Sequence, residues 1–105
     1  MLKDFLYVYV LQSLKDGNKY TGCTKDLERR FQSHQNGNVK STVHRRPFQL
    51  IYFEACLNKE DAFKREKYLK TRNGKMFLAK RLKSYLNAPP DQSKSNELIN
   101  NIYGE

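Results

Sequence analysis

The sequence has no tryptophan, only two cysteines and no long apolar run. Cys23 and Cys56 are far apart, and neither is accompanied by a second Cys or a His at metal-ligand spacing, which argues against a zinc site. We expect two unpaired thiols in a reducing compartment. No segment approaches the roughly 20 apolar residues that a membrane-spanning helix needs. Residues 1–4 lead into a short apolar stretch without a small-residue cleavage site, so we predict a cytoplasmic protein without a secretory signal.

Acidic residues are also in short supply. The chain has 20 Lys and Arg against 11 Asp and Glu, a formal net charge of +9 and a pI near 9.7. The excess is concentrated in residues 1–85, where 19 basic and 8 acidic residues leave +11. Such a charge favours a polyanionic partner, because each neutralised phosphate releases counterions. Charge alone does not distinguish DNA, RNA and an acidic membrane surface, and it is also compatible with a protein that simply stays soluble.

The residues that are present indicate one small folded domain. The 105 residues are 38% hydrophobic and include seven Tyr and six Phe, more aromatics than a disordered chain carries. Hydrophobic periodicity, caps and turn residues predict strands over 5–11, 18–22 and 48–55, and helices over 26–36, 58–72 and 75–85. Thr24 or Asp26 is expected to cap the first helix, and Asn73-Gly74 to separate the last two. The order ββαβαα predicts an α+β fold, with a small three-stranded antiparallel or mixed sheet and flanking helices.

Tyr9 and Tyr20 fall on one face of the predicted hairpin. If the loop is Leu14 to Gly17, Tyr20 lies opposite Leu11 and diagonal to Tyr9, roughly 7–8 Å away. A two-residue loop at Asp16-Gly17 keeps both rings on that face but moves them further apart. Cross-strand tyrosine pairs are common packing partners, so in isolation this pair favours a structural role.

Three further residues, Arg30, His34 and Glu66, have side chains that could bind a phosphate, a proton or a metal ion at the positions where they fall. Arg30 and His34 lie one turn apart on the first helix, where a guanidinium can clamp a phosphate and an imidazole can move a proton. The alternative is an Arg that extends to solvent and a half-buried His. Glu66 shares a predicted buried row with Ala62 and Leu69, so its carboxylate is placed to ligate a hard divalent cation. The alternative is an i,i+4 pair with Lys70, worth a few tenths of a kcal/mol.

Basic side chains flank these groups along the chain. They are Lys25, Arg29, Arg45, Arg46, Lys64 and Lys67. Lysines and arginines in such positions contact nucleic-acid backbones and position them without reading sequence. A solvated basic surface is the alternative.

In order and spacing, these segments resemble the GIY-YIG family. The matching segments are Tyr7-Val8-Tyr9, Tyr20-Thr21-Gly22, Asp26 to Phe31 with His34, Arg45-Arg46-Pro47 and Ala62 to Lys67. They extend over roughly residues 5–83, and the chain is most similar to the small single-domain bacterial members. Tyr7 replaces the first glycine of the GIY segment, and Thr21 replaces the isoleucine of the YIG segment. The resemblance implies a nuclease domain over residues 1–86, followed by a polar tail over 87–105.

The resemblance also implies a role for each matching residue. Tyr9 would orient or deprotonate the attacking water, and Tyr20 would lie beside the scissile phosphate. Arg30 would stabilise charge on that phosphate, and His34 falls where relatives place a Tyr or a His. Glu66 would be the single protein ligand of Mg²⁺ or Mn²⁺.

The implied function is metal-dependent endonucleolytic cleavage of DNA. Gly22 is expected to keep the strand end open for the nucleic acid. The DNA is expected to be branched, damaged or otherwise structured, as in repair or recombination, and a protein partner is compatible with so small a domain. The alternatives are a catalytically weak or inactive nucleic-acid-binding module and, with less support, an adaptor domain whose charge serves solubility.

Overall fold

The structure is a computed structural model that describes residues 4–88. Its elements are β1 (Leu6–Ser13), β2 (Lys19–Thr24), α1 (Leu27–Gln35), β3 (Phe48–Cys56), α2 (Lys59–Lys70), α3 (Arg72–Arg81) and α4 (Lys83–Leu86), with a 3₁₀ turn at Val43–Arg45. The predicted α+β class and the order ββαβαα are confirmed. The predicted tail lies outside the described residues except for 87 and 88, and the domain boundary at residue 86 stays a prediction.

The sheet has the order β2-β1-β3 and is antiparallel throughout. The central strand β1 is buried on both faces, which explains why its sequence is a continuous apolar and aromatic run instead of an alternating one. The hairpin turn closes with a hydrogen bond from Ser13 N to Asn18 O (2.9 Å), and Tyr20 pairs with Leu11. The longer of the two predicted hairpin loops is therefore confirmed. Because β1 is the central strand, β2 is an edge strand.

Two apolar cores lie on opposite faces of the sheet. Tyr7, Tyr9, Leu11, Phe48 and Leu50 pack against Leu27 and Phe31 of α1. Leu6, Val8 and Val10 pack against Ala62 and Leu69 of α2 and Leu78 of α3 on the other face. Alternate residues of β1 thus face α1 and α2, so a site at the edge strand can receive side chains from both faces.

The helices begin where polar side chains satisfy free backbone N–H groups. The Asp26 carboxylate accepts from Arg29 N (3.1 Å), so Asp26 and not Thr24 is the cap of α1. Asn58 accepts from Glu60 N (2.9 Å) and Asp61 N (3.1 Å) and caps α2.

The start predicted for the third helix is wrong. The helix begins at Arg72 and not at Lys75, because the Thr71 hydroxyl accepts from Gly74 N (3.1 Å) and caps it. The chain therefore breaks at Thr71, and Asn73-Gly74 lies inside α3. Gly74 is required there, since a β-carbon would overlap the Tyr68 carbonyl. The helix also ends earlier than predicted, at Arg81, and α4 follows as a separate turn. No helix within residues 4–88 combines the length and the apolar character needed to cross a membrane.

Candidate active site

The site forms on the α1 face of the sheet, where β1 and β2 bring two tyrosines together. The ring centroids of Tyr9 and Tyr20 lie 6.4 Å apart, and each ring contacts the imidazole of His34, at 5.8 Å and 5.0 Å. His34 reaches them from α1, one turn beyond Arg30. The structure thus brings together four candidate site residues that the sequence places on three different elements.

His34 is the buried centre of this group. It has no exposed surface, its Nε2 lies 2.9 Å from the Tyr9 hydroxyl, and its Nδ1 lies 2.9 Å from Thr42 Oγ1. Burial, and secondarily the nearby Arg30 guanidinium, lower the pKa of His34 to about 4. The imidazole is therefore neutral at neutral pH and carries a single ring proton.

The Tyr9 hydroxyl indicates the position of that proton. Among the described residues its hydrogen-bond partners are Arg30 Nε, which can only donate, and His34 Nε2, so the buried hydroxyl donates its proton to Nε2. The ring proton of His34 then lies on Nδ1, which donates to Thr42 Oγ1. Tyr9 is consequently oriented as a proton donor toward a neutral base.

Arg30 completes the surroundings of the Tyr9 hydroxyl. Its Nε donates to Tyr9 Oη at 3.4 Å, a long hydrogen bond that raises the pKa of Arg30. Burial nevertheless raises the pKa of Tyr9 to about 12 against the lowering effect of Arg30. The phenol is therefore protonated at neutral pH, and it needs a proton acceptor if it is to act as a base.

Gly22 determines how Tyr9 extends across the hairpin. It pairs with Tyr9 on β1, and a β-carbon at this position would overlap the Tyr9 hydroxyl and ring. Gly22 is itself buried. Its structural effect is to leave room for the tyrosine over the edge strand.

Glu66 approaches the same edge strand from the opposite face of the sheet. It lies on α2 with its side chain 22% exposed, and Lys70 Nζ donates to its Oε2 at 2.9 Å. The Glu66 carboxylate lies near enough to the site to affect two of its neighbours: burial raises the pKa of Tyr9 and that of Cys23, and the charge of Glu66 raises both further. The predicted i,i+4 contact with Lys70 is present. The Glu66 carboxylate is half-buried, in agreement with its place on the same helix face as the buried Ala62 and Leu69.

The predicted nucleic-acid-binding residues have different surroundings. Lys25, Arg29, Lys64 and Lys67 are exposed. Arg45 instead forms a salt bridge to Asp16 (3.0 Å), and Arg46 donates from Nε to Val43 O (2.9 Å). These two arginines therefore stabilise the loop before β3 in addition to carrying charge.

Two residues of the site have no signal in the sequence that assigns them to it. Thr42 lies in the polar loop between α1 and β3, where no spacing rule relates it to His34. Lys70 is predicted from the sequence only as an ion-pair partner of Glu66. Among the residues the structure describes, no group of three or more His, Cys, Asp or Glu side chains could hold a metal ion. Any metal at Glu66 would thus take most of its ligands from water or substrate.

The chain is similar to several known proteins. The family model described as the GIY-YIG catalytic domain matches residues 5–83. A UPF0213 protein of Clostridium perfringens is 48% identical over 75 residues, covering 69% of this chain and 80% of that protein. Another, from Streptococcus agalactiae, is 39% identical over 87 residues, covering 80% of this chain and 98% of that protein.

One solved structure is similar as well. The solution NMR structure of a UPF0213 protein from Bacillus halodurans is 39% identical, with a TM-score of 0.46 over 72% of this chain and 83% of that chain.

Proposed function

Because this chain belongs to the GIY-YIG catalytic domain family, which matches it over residues 5–83, we propose that it is a metal-dependent endonuclease that hydrolyses a phosphodiester bond in DNA. The observation that carries the proposal is the chain of hydrogen bonds Arg30–Tyr9–His34–Thr42. It places a guanidinium, a phenol and a neutral imidazole in contact around one buried hydroxyl group. The Tyr9 hydroxyl thus has two ionisable partners, one of which can accept its proton.

The hydrogen-bond direction suggests how Tyr9 handles a proton. With a pKa of about 12, Tyr9 is almost entirely protonated at neutral pH. In the proposed step, the attacking water gives a proton to Tyr9 Oη while the phenolic proton moves to His34 Nε2. The water oxygen becomes a hydroxide nucleophile and His34 becomes an imidazolium. The donor–acceptor distance of 2.9 Å between Tyr9 and His34 is within the range for such a transfer.

Arg30 has a second role in this scheme. Tyr9 is 1% exposed, so water reaches its hydroxyl only if a neighbouring group moves. The 3.4 Å contact from Arg30 is the longest in the network, and Arg30 is only half-buried. We therefore expect the guanidinium to leave Tyr9 for a phosphate, where its fork of N–H donors is better matched. Tyr20, which contacts the other side of His34, would lie beside the same phosphate.

Glu66 fits a hard divalent cation. Mg²⁺ is commonly held by one or two carboxylates, with waters and substrate phosphates as the remaining ligands. Glu66 supplies one half-buried carboxylate near Tyr9, and Lys70 shows that this carboxylate already attracts a cation. A bound Mg²⁺ or Mn²⁺ would supply Lewis-acid stabilisation of charge on the phosphate. The protein itself would contribute by holding Glu66 and Tyr9 close together at the edge strand.

Cleavage assays test the proposal directly. The purified protein is incubated with nicked, flapped, branched and single-stranded DNA in the presence of Mg²⁺ or Mn²⁺. We expect cleavage that EDTA abolishes and that Glu66→Gln reduces to background, while DNA binding persists because it depends on many lysine and arginine contacts. A Glu66→Gln variant that cleaves as fast as the parent would remove Glu66 from the metal site.

The Lys70–Glu66 salt bridge favours one alternative. If a lysine neutralises the carboxylate permanently, the protein is a nucleic-acid-binding module with an inactive site. This alternative predicts DNA binding without cleavage under every metal condition, and unchanged binding when Tyr9 or Glu66 is replaced. The same set of assays therefore separates it from the endonuclease.

A further inference from the structure

Two adjoining cavities lie along the outer edge of β2, beside the tyrosine–histidine network. The first has a volume of about 240 Å³ and is lined by Lys19, Tyr20, Thr21, Leu69, Lys70, Lys75 and Leu78. The second, of about 290 Å³, is lined by Gly17, Asn18, Lys19 and Lys75. Lys19 and Lys75 line both cavities. Together the two form one groove, which we call the β2-edge groove, between the edge strand and the start of α3.

The β2-edge groove is strongly basic. Lys19, Lys70 and Lys75 contribute three ammonium groups, and no acidic residue among residues 4–88 lines either cavity. Within residues 4–88, neither Lys19 nor Lys75 forms a salt bridge. The nearest acidic residue in the hairpin loop, Asp16, is already paired with Arg45. Lys70 is paired with Glu66, so the uncompensated positive charges of the groove are those of Lys19 and Lys75.

The groove leads directly into the proposed active site. Tyr20 lines the groove and also contacts His34, and Lys70 lines it while bound to Glu66. Along β2, Lys19 is three residues from Gly22, a distance of about 10 Å at the rise of a strand. A strand of nucleic acid with one phosphate at the active site therefore has room for a neighbouring phosphate near Lys19 and Lys75.

We propose that the β2-edge groove binds the backbone of the DNA strand that is cleaved, beside the scissile phosphate. This inference rests on the proposed function and adds a substrate-binding surface to it. Lys19 and Lys75 contact phosphates, and Lys70 links the groove to the metal site. An extended peptide adding to the edge strand is the other occupant that such an edge can take. The basic lining favours a phosphate backbone, because a neutral peptide leaves the charges of Lys19 and Lys75 unmatched.

Salt-dependent binding of a flapped DNA duplex tests the inference. Three proteins are compared in the cleavage-deficient Glu66→Gln background: the background itself, Lys19→Gln/Lys75→Gln, and the control Lys80→Gln/Lys83→Gln. The control removes the same charge from exposed positions on α3 and α4 that line neither cavity. In duplex DNA the slope of log K against log salt is negative and should become less steep by about 0.9 for each phosphate that the protein no longer neutralises. We expect this loss of steepness in the groove variant and a smaller one in the control.

A second readout uses the active protein. Lys19→Gln/Lys75→Gln should raise KM for cleavage and leave kcat unchanged, because these lysines bind the strand away from the reacting atoms. If the groove variant and its control have equal salt slopes, the proposed role of the groove is wrong, and the endonuclease proposal is unaffected. A shallower slope for the groove variant, in a protein whose parent never cleaves DNA, supports the groove and contradicts the endonuclease. Binding of acidic peptides in place of DNA, or no DNA binding at all, overturns the groove as well.

Discussion

The Tyr9 hydroxyl occupies the space that a side chain on Gly22 would need. The two residues are direct partners in the β1–β2 pairing, so the phenol crosses over the edge strand at a position without a β-carbon. From there it reaches His34 on α1, while Glu66 on α2 approaches from the other face. Gly22 thus determines where Tyr9, the proposed acceptor of the water proton, lies relative to Glu66, the proposed metal ligand.

Gly22→Ala should therefore displace Tyr9 and reduce cleavage. Overpacking at such a contact usually costs about 1–3 kcal/mol of unfolding free energy, and a displaced base loses rate even when the protein folds. We expect both effects in thermal denaturation and in single-turnover cleavage. In a Tyr9→Leu background the added methyl group has space, so Gly22→Ala should then cost little stability. Equal costs in the two backgrounds would contradict the proposed contact.

Tyr9→Phe should lower the cleavage rate by about 10²–10⁴ if the hydroxyl transfers the proton. The free energy of unfolding should also fall by about 1–3 kcal/mol, because His34 Nε2 is left buried without a partner. Tyr85→Phe is the matched control. It removes a hydroxyl that donates to Gln12 and Gln49, outside the His34 network, and should destabilise without slowing cleavage. Similar rate losses in both variants would indicate a general effect of stability.

The buried His34 should make folding depend on pH. Its pKa is about 4 in the folded protein against 6.5 for an ordinary histidine, so between these values the unfolded chain binds a proton that the folded protein does not. Stability should fall as the pH is lowered from 6.5 toward 4, by up to about 3 kcal/mol. Urea denaturation at several pH values measures the effect. His34→Gln should flatten the dependence in that range, whereas His44→Gln, at an exposed position, should preserve it.

Spacing in the sequence predicted which candidate residues lie near one another better than it predicted their hydrogen bonds. Both hairpin loops that the sequence allowed placed Tyr9 and Tyr20 on one face, and the structure has the longer loop, which brings them closer together. Helical spacing placed Arg30 and His34 on one face. Both are local rules of spacing, and each depends on a short segment.

The features that sequence could not supply depend on tertiary packing. Thr42 orients the His34 imidazole from a loop whose path no local pattern determines. Lys19 and Lys75 belong to different elements, and only the packing of α3 beside the edge strand makes them walls of one groove. The start of α3 was missed for a local reason: Asn73-Gly74 is a strong turn signal, but the cap formed by Thr71 places it within the helix.

Lys70→Gln should strengthen metal binding at Glu66 even though it removes a charge from the substrate groove. The Lys70 ammonium occupies Glu66 Oε2 at 2.9 Å, so a divalent cation must displace it. Partly exposed pairs of this kind are worth at most about 1 kcal/mol, which corresponds to a gain of up to about fivefold in Mn²⁺ affinity. Calorimetric titration of Mn²⁺ without DNA measures this separately from activity. Lys64→Gln, an exposed lysine on the same helix that does not pair with Glu66, is the control for general charge. If the two variants bind Mn²⁺ equally well, the predicted competition between Lys70 and the metal at Glu66 is wrong.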